Sequence, residues 1–139
     1  MPFCRALSVL ARADTQAVKV LAEDIVCDLG AIEVLKSRTG LAMLPCRDTV
    51  EGTIFHLGEV LMAEAHIRLP ERDTEGYGAC VGRDLEHAMA MAVLDLAMVS
   101  GVANDRIAEF VEHQAERLWR QDDDILRKTA ATRVEMETF

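Results

Sequence analysis

Along the first thirty residues the apolar positions recur at helical spacing, and beyond Ala31 they switch to short runs and alternation. Pro2 to Leu29 divides into two helical stretches at Asp14-Thr15, either of which suits the N-cap of the second. In that second stretch Val18, Leu21, Ile25 and Leu29 share one face, and Gly30 follows in the usual C′ position. Ile32-Glu33-Val34-Leu35 then reads as a short strand, Thr39-Gly40 as a turn, and Leu41 to Leu44 as a second strand stopped by Pro45, which cannot donate to a ladder. After Gly58, Leu61, Ala63, Ala65, Ile67 and Leu69 point one way, while Glu64, His66 and Arg68 point the other. The Ala, Met and Glu content of that segment also suits a helix; the alternation favours a strand. Pro70-Glu71-Arg72-Asp73 is a polar hairpin connection, and Tyr77 to Val81 returns as a further strand.

From Asp84 the period changes again. His87 to Leu94 is apolar nearly all round and lacks a breaker, so it predicts a buried helix, packed on the sheet or sandwiched in a complex. Ser100-Gly101 closes it. Asn104 is placed to cap a last helix, with Ile107, Val111, Ala115 and Leu118 in one stripe and Glu116–Arg120 as a favourable i,i+4 pair. Unbroken from Asp105 to Ala131, that helix would be about 40 Å long. A domain of this size has a radius of gyration of about 14 Å. Either Asp122-Asp123-Asp124 breaks the helix, or its end projects and needs a partner surface. The pattern predicts one α+β domain over 1–139. Residues 1–30 are helical, 31–82 form a small antiparallel sheet of about four strands, and 83–139 form the buried helix and a long C-terminal helical extension.

Composition narrows the choice of partners. Half of the 139 residues are apolar but only 4% are aromatic, so the core is built from Leu, Val, Ile, Ala and Met. The net charge is −9, with 24 acidic against 15 basic residues and no Lys/Arg cluster, which argues against nucleic acid and anionic membranes. An anionic substrate must therefore be held by a few placed groups. Cys4, Cys27, Cys46 and Cys80 are scattered, with no Cys-x-x-Cys and no zinc-finger His spacing, so no metal is expected. No signal peptide and no run of about 18 apolar residues is present, which predicts a cytoplasmic protein with reduced, buried cysteines.

Two segments are candidates for chemistry. Gly82-Arg83-Asp84-Leu85-Glu86-His87 joins a strand to a helix start, where free N–H groups favour an anion; Arg83 adds a donor fork and His87 lies one turn in. Alternatively Asp84 fills those donors with its own carboxylate as N-cap. In Phe55-His56-Leu57-Gly58-Glu59, Gly58 suggests a bulge or a close backbone approach, and Glu59 is either an acid–base group or a solvated or ion-paired carboxylate. No triad order, P-loop or dinucleotide-binding turn occurs, so chemistry alone nominates no catalytic residue and no cofactor.

Gly40-Leu41-Ala42-Met43, Gly52-x-x-Phe55-x-Leu57-Gly58-Glu59, Ile67-Arg68-Leu69, Gly82-Arg83-Asp84-x-x-His87-Ala88 and the ending Ala131-Thr132-Arg133-Val134-Glu135 with Thr138 follow one another in register. This succession, from about Leu7 to Phe139, resembles the PhnG family. The resemblance implies a subunit of the bacterial carbon–phosphorus lyase core complex with PhnH, PhnI and PhnJ. Together with PhnL, such complexes transfer a phosphonate onto C1 of the ATP ribose and expel adenine, with ATP and phosphonate as substrates of the complex. PhnI is regarded as the chemical centre, PhnJ is the later radical enzyme, and PhnG is a companion.

The matching motif residues are Gly58, Glu59, Arg68, Gly82, Arg83, Asp84, His87 and Arg133. Two departures stand out: Ala63-Glu64 replaces a Thr-Arg pair common in relatives, and Pro45 to Glu51 lacks the usual glycines. The acid at position 64 puts an anion contact from that strand in question. The resemblance favours a hetero-oligomeric or self-associating subunit, and the alternative is a self-sufficient anion-binding module or enzyme using Arg83, His87 and Glu59.

Overall fold

A computed structural model of the chain describes residues 3–134. Its elements are α1 (Phe3–Arg12), α2 (Thr15–Leu29), β1 (Glu33–Arg47), β2 (Ile54–Leu69), a short 3-10 turn (Pro70–Arg72), β3 (Thr74–Val81), α3 (Leu85–Ser100) and α4 (Asn104–Ala131). The three strands form one antiparallel sheet in the order β1-β2-β3, so the architecture is α+β. Asp14 caps α2 by accepting from the Ala17 N–H, and Gly30 ends it with φ 92°. The connection from β2 to β3 closes with Asp73 in the left-handed region.

The core lies between one face of the sheet and the helices. Ala63, Ala65, Ile67 and Leu69 of β2 are buried, while the residues between them are only half-buried, as the alternation predicts. α3 packs on this face with both of its sides covered, by the sheet and by α1 and α2. Each fully buried side chain here, such as Ile67, Leu94 or Ile107, contributes about 1.5–3 kcal/mol by leaving water.

Two glycines permit the close approach of α3 to β3. A Cβ on Gly78 would stand 2.2 Å from the Ala88 carbonyl oxygen, and one on Gly76 would stand 2.4 Å from that of Ala92. Both separations are far inside van der Waals contact, so helix backbone meets strand backbone here and only glycine fits. Asp95 of α3 adds a polar tie across the same contact, accepting the Tyr77 N–H at 2.9 Å. Burial pushes its carboxyl pKa up, against the lowering effect of that hydrogen bond.

Two parts lie largely outside the core. β1 and the first half of β2 form a long hairpin arm, with Leu41, Met43, Ile54 and Leu57 each at least 60% exposed. α4 packs through Ile107, Val111, Gln114 and Leu118 and then leaves the body, with Trp119 and Leu126 about two-thirds exposed. Its 28 residues make a rod about 42 Å long.

Several expectations need correction. The sheet has three strands because Thr39-Gly40 is not a turn: β1 runs through it, pairing Thr39 with Ala63 and Gly40 with Met62. Pro45 does not stop the strand; it pairs with His56 at a register shift on the edge strand, the setting in which a strand tolerates proline. Asn104 lies inside α4, whose N-cap is Ala103 in the left-handed region with no side-chain cap. Asp122-Asp123-Asp124 does not break α4, because Asp122 pairs with Arg12 and the next two acids pair with Arg127 and Lys128 one turn on. α3 finds its cover within the chain and needs no partner for burial. Among the described cysteine side chains Cys80 is buried, Cys46 is half-buried and Cys27 is exposed.

Candidate functional site

At the root of the arm β3 gives way to α3, and the chain there is set by glycine. Gly82 has φ 109° and donates its N–H to the Leu61 carbonyl at 2.8 Å. The bend releases Gly82-Arg83-Asp84 from the sheet beside Leu61, two residues along β2 from Glu59. Asp84 is the N-cap of α3, accepting the His87 N–H at 2.9 Å. That bond, helped by Lys19, holds the Asp84 carboxyl below the usual carboxylate range despite partial burial.

Lys19 of α2 is a member of this cluster that the sequence did not single out. Its Nζ donates to Asp84 at 3.3 Å and to Glu86 at 3.0 Å. Glu86 first and Asp84 second raise its pKa against desolvation. The signal was faint, since a lysine on the polar side of an amphipathic helix ordinarily faces water. The four charges at this helix start are balanced, Lys19 and Arg83 against Asp84 and Glu86, and the cap occupies the His87 N–H. Arg83 is exposed and has no carboxylate partner among the described residues. It is the cation left over for a visiting anion or an acidic partner group.

His87 is used inside the fold. It is 3% exposed, with Nδ1 3.1 Å from the Thr15 hydroxyl and Nε2 2.9 Å from the Leu10 carbonyl. The ring therefore ties α3 to α1 and to the start of α2, and both nitrogens are engaged. Glu59 is exposed on the arm opposite Met43, with no bonded partner among the described residues. The remaining candidates lie elsewhere. Arg68 sits at the far end of β2 and pairs with Asp73 at 2.5 Å. Arg133 is exposed just beyond α4, and Glu135 and Thr138 of the same motif lie outside the described residues. The structure thus brings Arg83, Asp84 and Glu59 to one end of the sheet and leaves Arg68 and Arg133 apart.

The face of the sheet opposite α3 carries charge ladders. Arg38 of β1 donates to Glu64 of β2 at 2.5 Å, and the Tyr77 hydroxyl of β3 donates to the other oxygen of Glu64 at 2.9 Å. Arg38, then Tyr77, lowers the Glu64 pKa. The acid that departs from the family pattern is therefore held by one residue from each neighbouring strand. His66 lies 2.8 Å from Glu75 on the same face. On the helix side a groove of about 470 Å³ runs between α2, α3 and β1, with Val26, Met89, Ala90 and Val93 as its apolar walls and Ser37 at its strand side. Among the described residues no cluster of three or more His, Cys, Asp or Glu side chains could hold a metal, and no helix is long and apolar enough to cross a membrane.

Comparison with known proteins identifies the family. A family model described as phosphonate metabolism protein PhnG matches residues 4–139. The alpha-D-ribose 1-methylphosphonate 5-triphosphate synthase subunit PhnG of Rhizobium meliloti (strain 1021) is 31% identical over 134 residues, covering 96% of this chain and 85% of that protein. HtxH of Stutzerimonas stutzeri, named as a C-P lyase subunit protein, is 31% identical over 113 residues, covering 73% of this chain but 30% of HtxH. The chain thus spans less than a third of one relative and most of the other. With the family match running over nearly every residue, and with the Gly82-Arg83-Asp84 bend and the Gly58-Glu59 arm in place, the chain belongs to the PhnG family of phosphonate metabolism proteins.

Proposed function

We propose that this chain is the PhnG subunit of an alpha-D-ribose 1-methylphosphonate 5-triphosphate synthase, working in the cytoplasm with PhnH, PhnI, PhnJ and PhnL. In that complex a phosphonate displaces adenine from C1 of the ATP ribose, and this chain supports the reaction from beside the chemical centre. The observation that carries the proposal is the end-to-end similarity to a subunit of that synthase. The architecture supports it. An arm and a helix end that project with exposed Leu, Met, Ile and Trp side chains suit a subunit whose surfaces are completed by other chains. The engagement of both His87 nitrogens weighs against the independent-enzyme alternative, because it removes the general base that alternative needs.

Arg83 is the residue we assign to the phosphonate or to the partner surface that holds it. The test is reconstitution from purified subunits with ATP and methylphosphonate, following adenine release. Release should require this chain, and the chain alone should release none. Undiminished release when it is left out would overturn the proposal.

A further inference from the structure

We infer that β1 is a docking edge for the C-terminal segment of a second copy of this chain, so that two copies exchange tails as added strands. β1 is the outer strand of the sheet and pairs on one side only, with β2. Between its register irregularities at Val34/Lys36 and Leu44/Pro45 lies a regular stretch whose outer backbone groups have no strand beside them. A long edge of this kind is a template for pairing with another chain.

The two sides of that stretch differ in chemistry. Lys36 and Arg38 stand on the charged face of the sheet, two residues apart; Arg38 is already joined to Glu64, whereas Lys36 has no bonded partner among the described residues. Ser37, between them, points to the helix side and borders the apolar groove walled by Val26, Met89, Ala90 and Val93. A strand that fits here must alternate, with acids two residues apart on one face and apolar side chains on the other.

The chain contains such a segment. Val134-Glu135-Met136-Glu137-Thr138 alternates in this way. Laid along β1, Glu135 and Glu137 come beside Lys36 and Arg38, and Met136 faces the groove. α4 leaves the body after Leu118, well before this segment begins, and Val134, its first residue, is 79% exposed. Reciprocal exchange closes a two-fold dimer, each copy giving a tail and receiving one. This inference does not rest on the phosphonate role.

The experiment is sedimentation of the purified full-length chain over a range of concentrations, with circular dichroism to check folding. Wild type should be a dimer. Glu135→Lys with Glu137→Lys should weaken dimerisation by about tenfold or more, the effect of placing like charges together. Lys36→Glu should weaken it similarly, and combining it with the two tail reversals should recover dimerisation. A monomer at all concentrations would overturn the inference, and so would a dimer indifferent to the tail reversals. A monomer in which Lys36 is nevertheless shielded by its own tail would overturn the exchange as well.

Discussion

Arg83 and Asp84 are adjacent yet have separable consequences. Asp84 caps α3, and Asp84→Ala should cost about 0.5–2 kcal/mol of stability by urea unfolding. Arg83 is exposed without a carboxylate partner, so Arg83→Ala should leave the melting temperature almost unchanged while impairing adenine release by the reconstituted complex. If that variant releases adenine normally, the phosphonate contact must be sought elsewhere. The two carboxyls with opposite shifts give opposite pH dependences. Asp84, lowered in the fold, contributes stability that is present above its unfolded pKa near about 3.9 and is lost as pH falls through its folded value. Asp95, raised in the fold, favours the protonated form. Wild type should lose stability relative to Asp95→Asn as pH rises from about 4 through the folded pKa, read as a widening gap between their melting temperatures.

At the scale of elements, legibility in the sequence followed locality. Asp14, Gly30, Asp84 and Gly101 act within one turn of where they stand, and each does as its residue type suggests. The alternation from Leu61 to Leu69 overrode a helix-compatible composition because a strand buries one face of every second residue. Thr39-Gly40 misled because glycine in a strand marks either a turn or a pause, and only the pairing partner decides; β2 matches β1 residue for residue through that point. His87 was nominated from its place one turn into a helix, but its hydrogen-bond partners come from Leu10 and Thr15, more than 70 residues away in sequence. The Gly76-x-Gly78 pair was equally mute until α3 was laid against it. Gly78→Ala should cost about 1–3 kcal/mol or more, since the obstacle is backbone. Gly40→Ala, with nothing within 4 Å of the new Cβ, should be tolerated in the same unfolding assay.

At the scale of the whole molecule, a packed body carries two extensions that the body itself does not need. Ending the chain after Asp122 retains the Arg12–Asp122 pair and the buried residues of α4 through Leu118. That truncation should shift the melting temperature little, yet abolish co-purification with tagged partner subunits. Normal co-purification of the truncated chain would return α4's distal half to the role of a passive overhang.

The backbone contact of β3 with α3 also decides how the body can respond to partners pulling on those extensions. Two residues of strand advance about 6.8 Å, and four residues of helix advance about 6.0 Å. Gly76 and Gly78 therefore meet Ala92 and Ala88 as two nearly matched teeth of a ratchet. Sliding α3 by less than a full tooth drives a carbonyl or a methyl into the strand, and sliding by a whole tooth moves one contact past the end of the glycine pair. Small shear along this seam is blocked in both directions. A load arriving through the arm or the rod must then be taken up within those extensions, beyond Leu61 in the hairpin and beyond Leu118 in α4, with the body between them acting as a rigid axle.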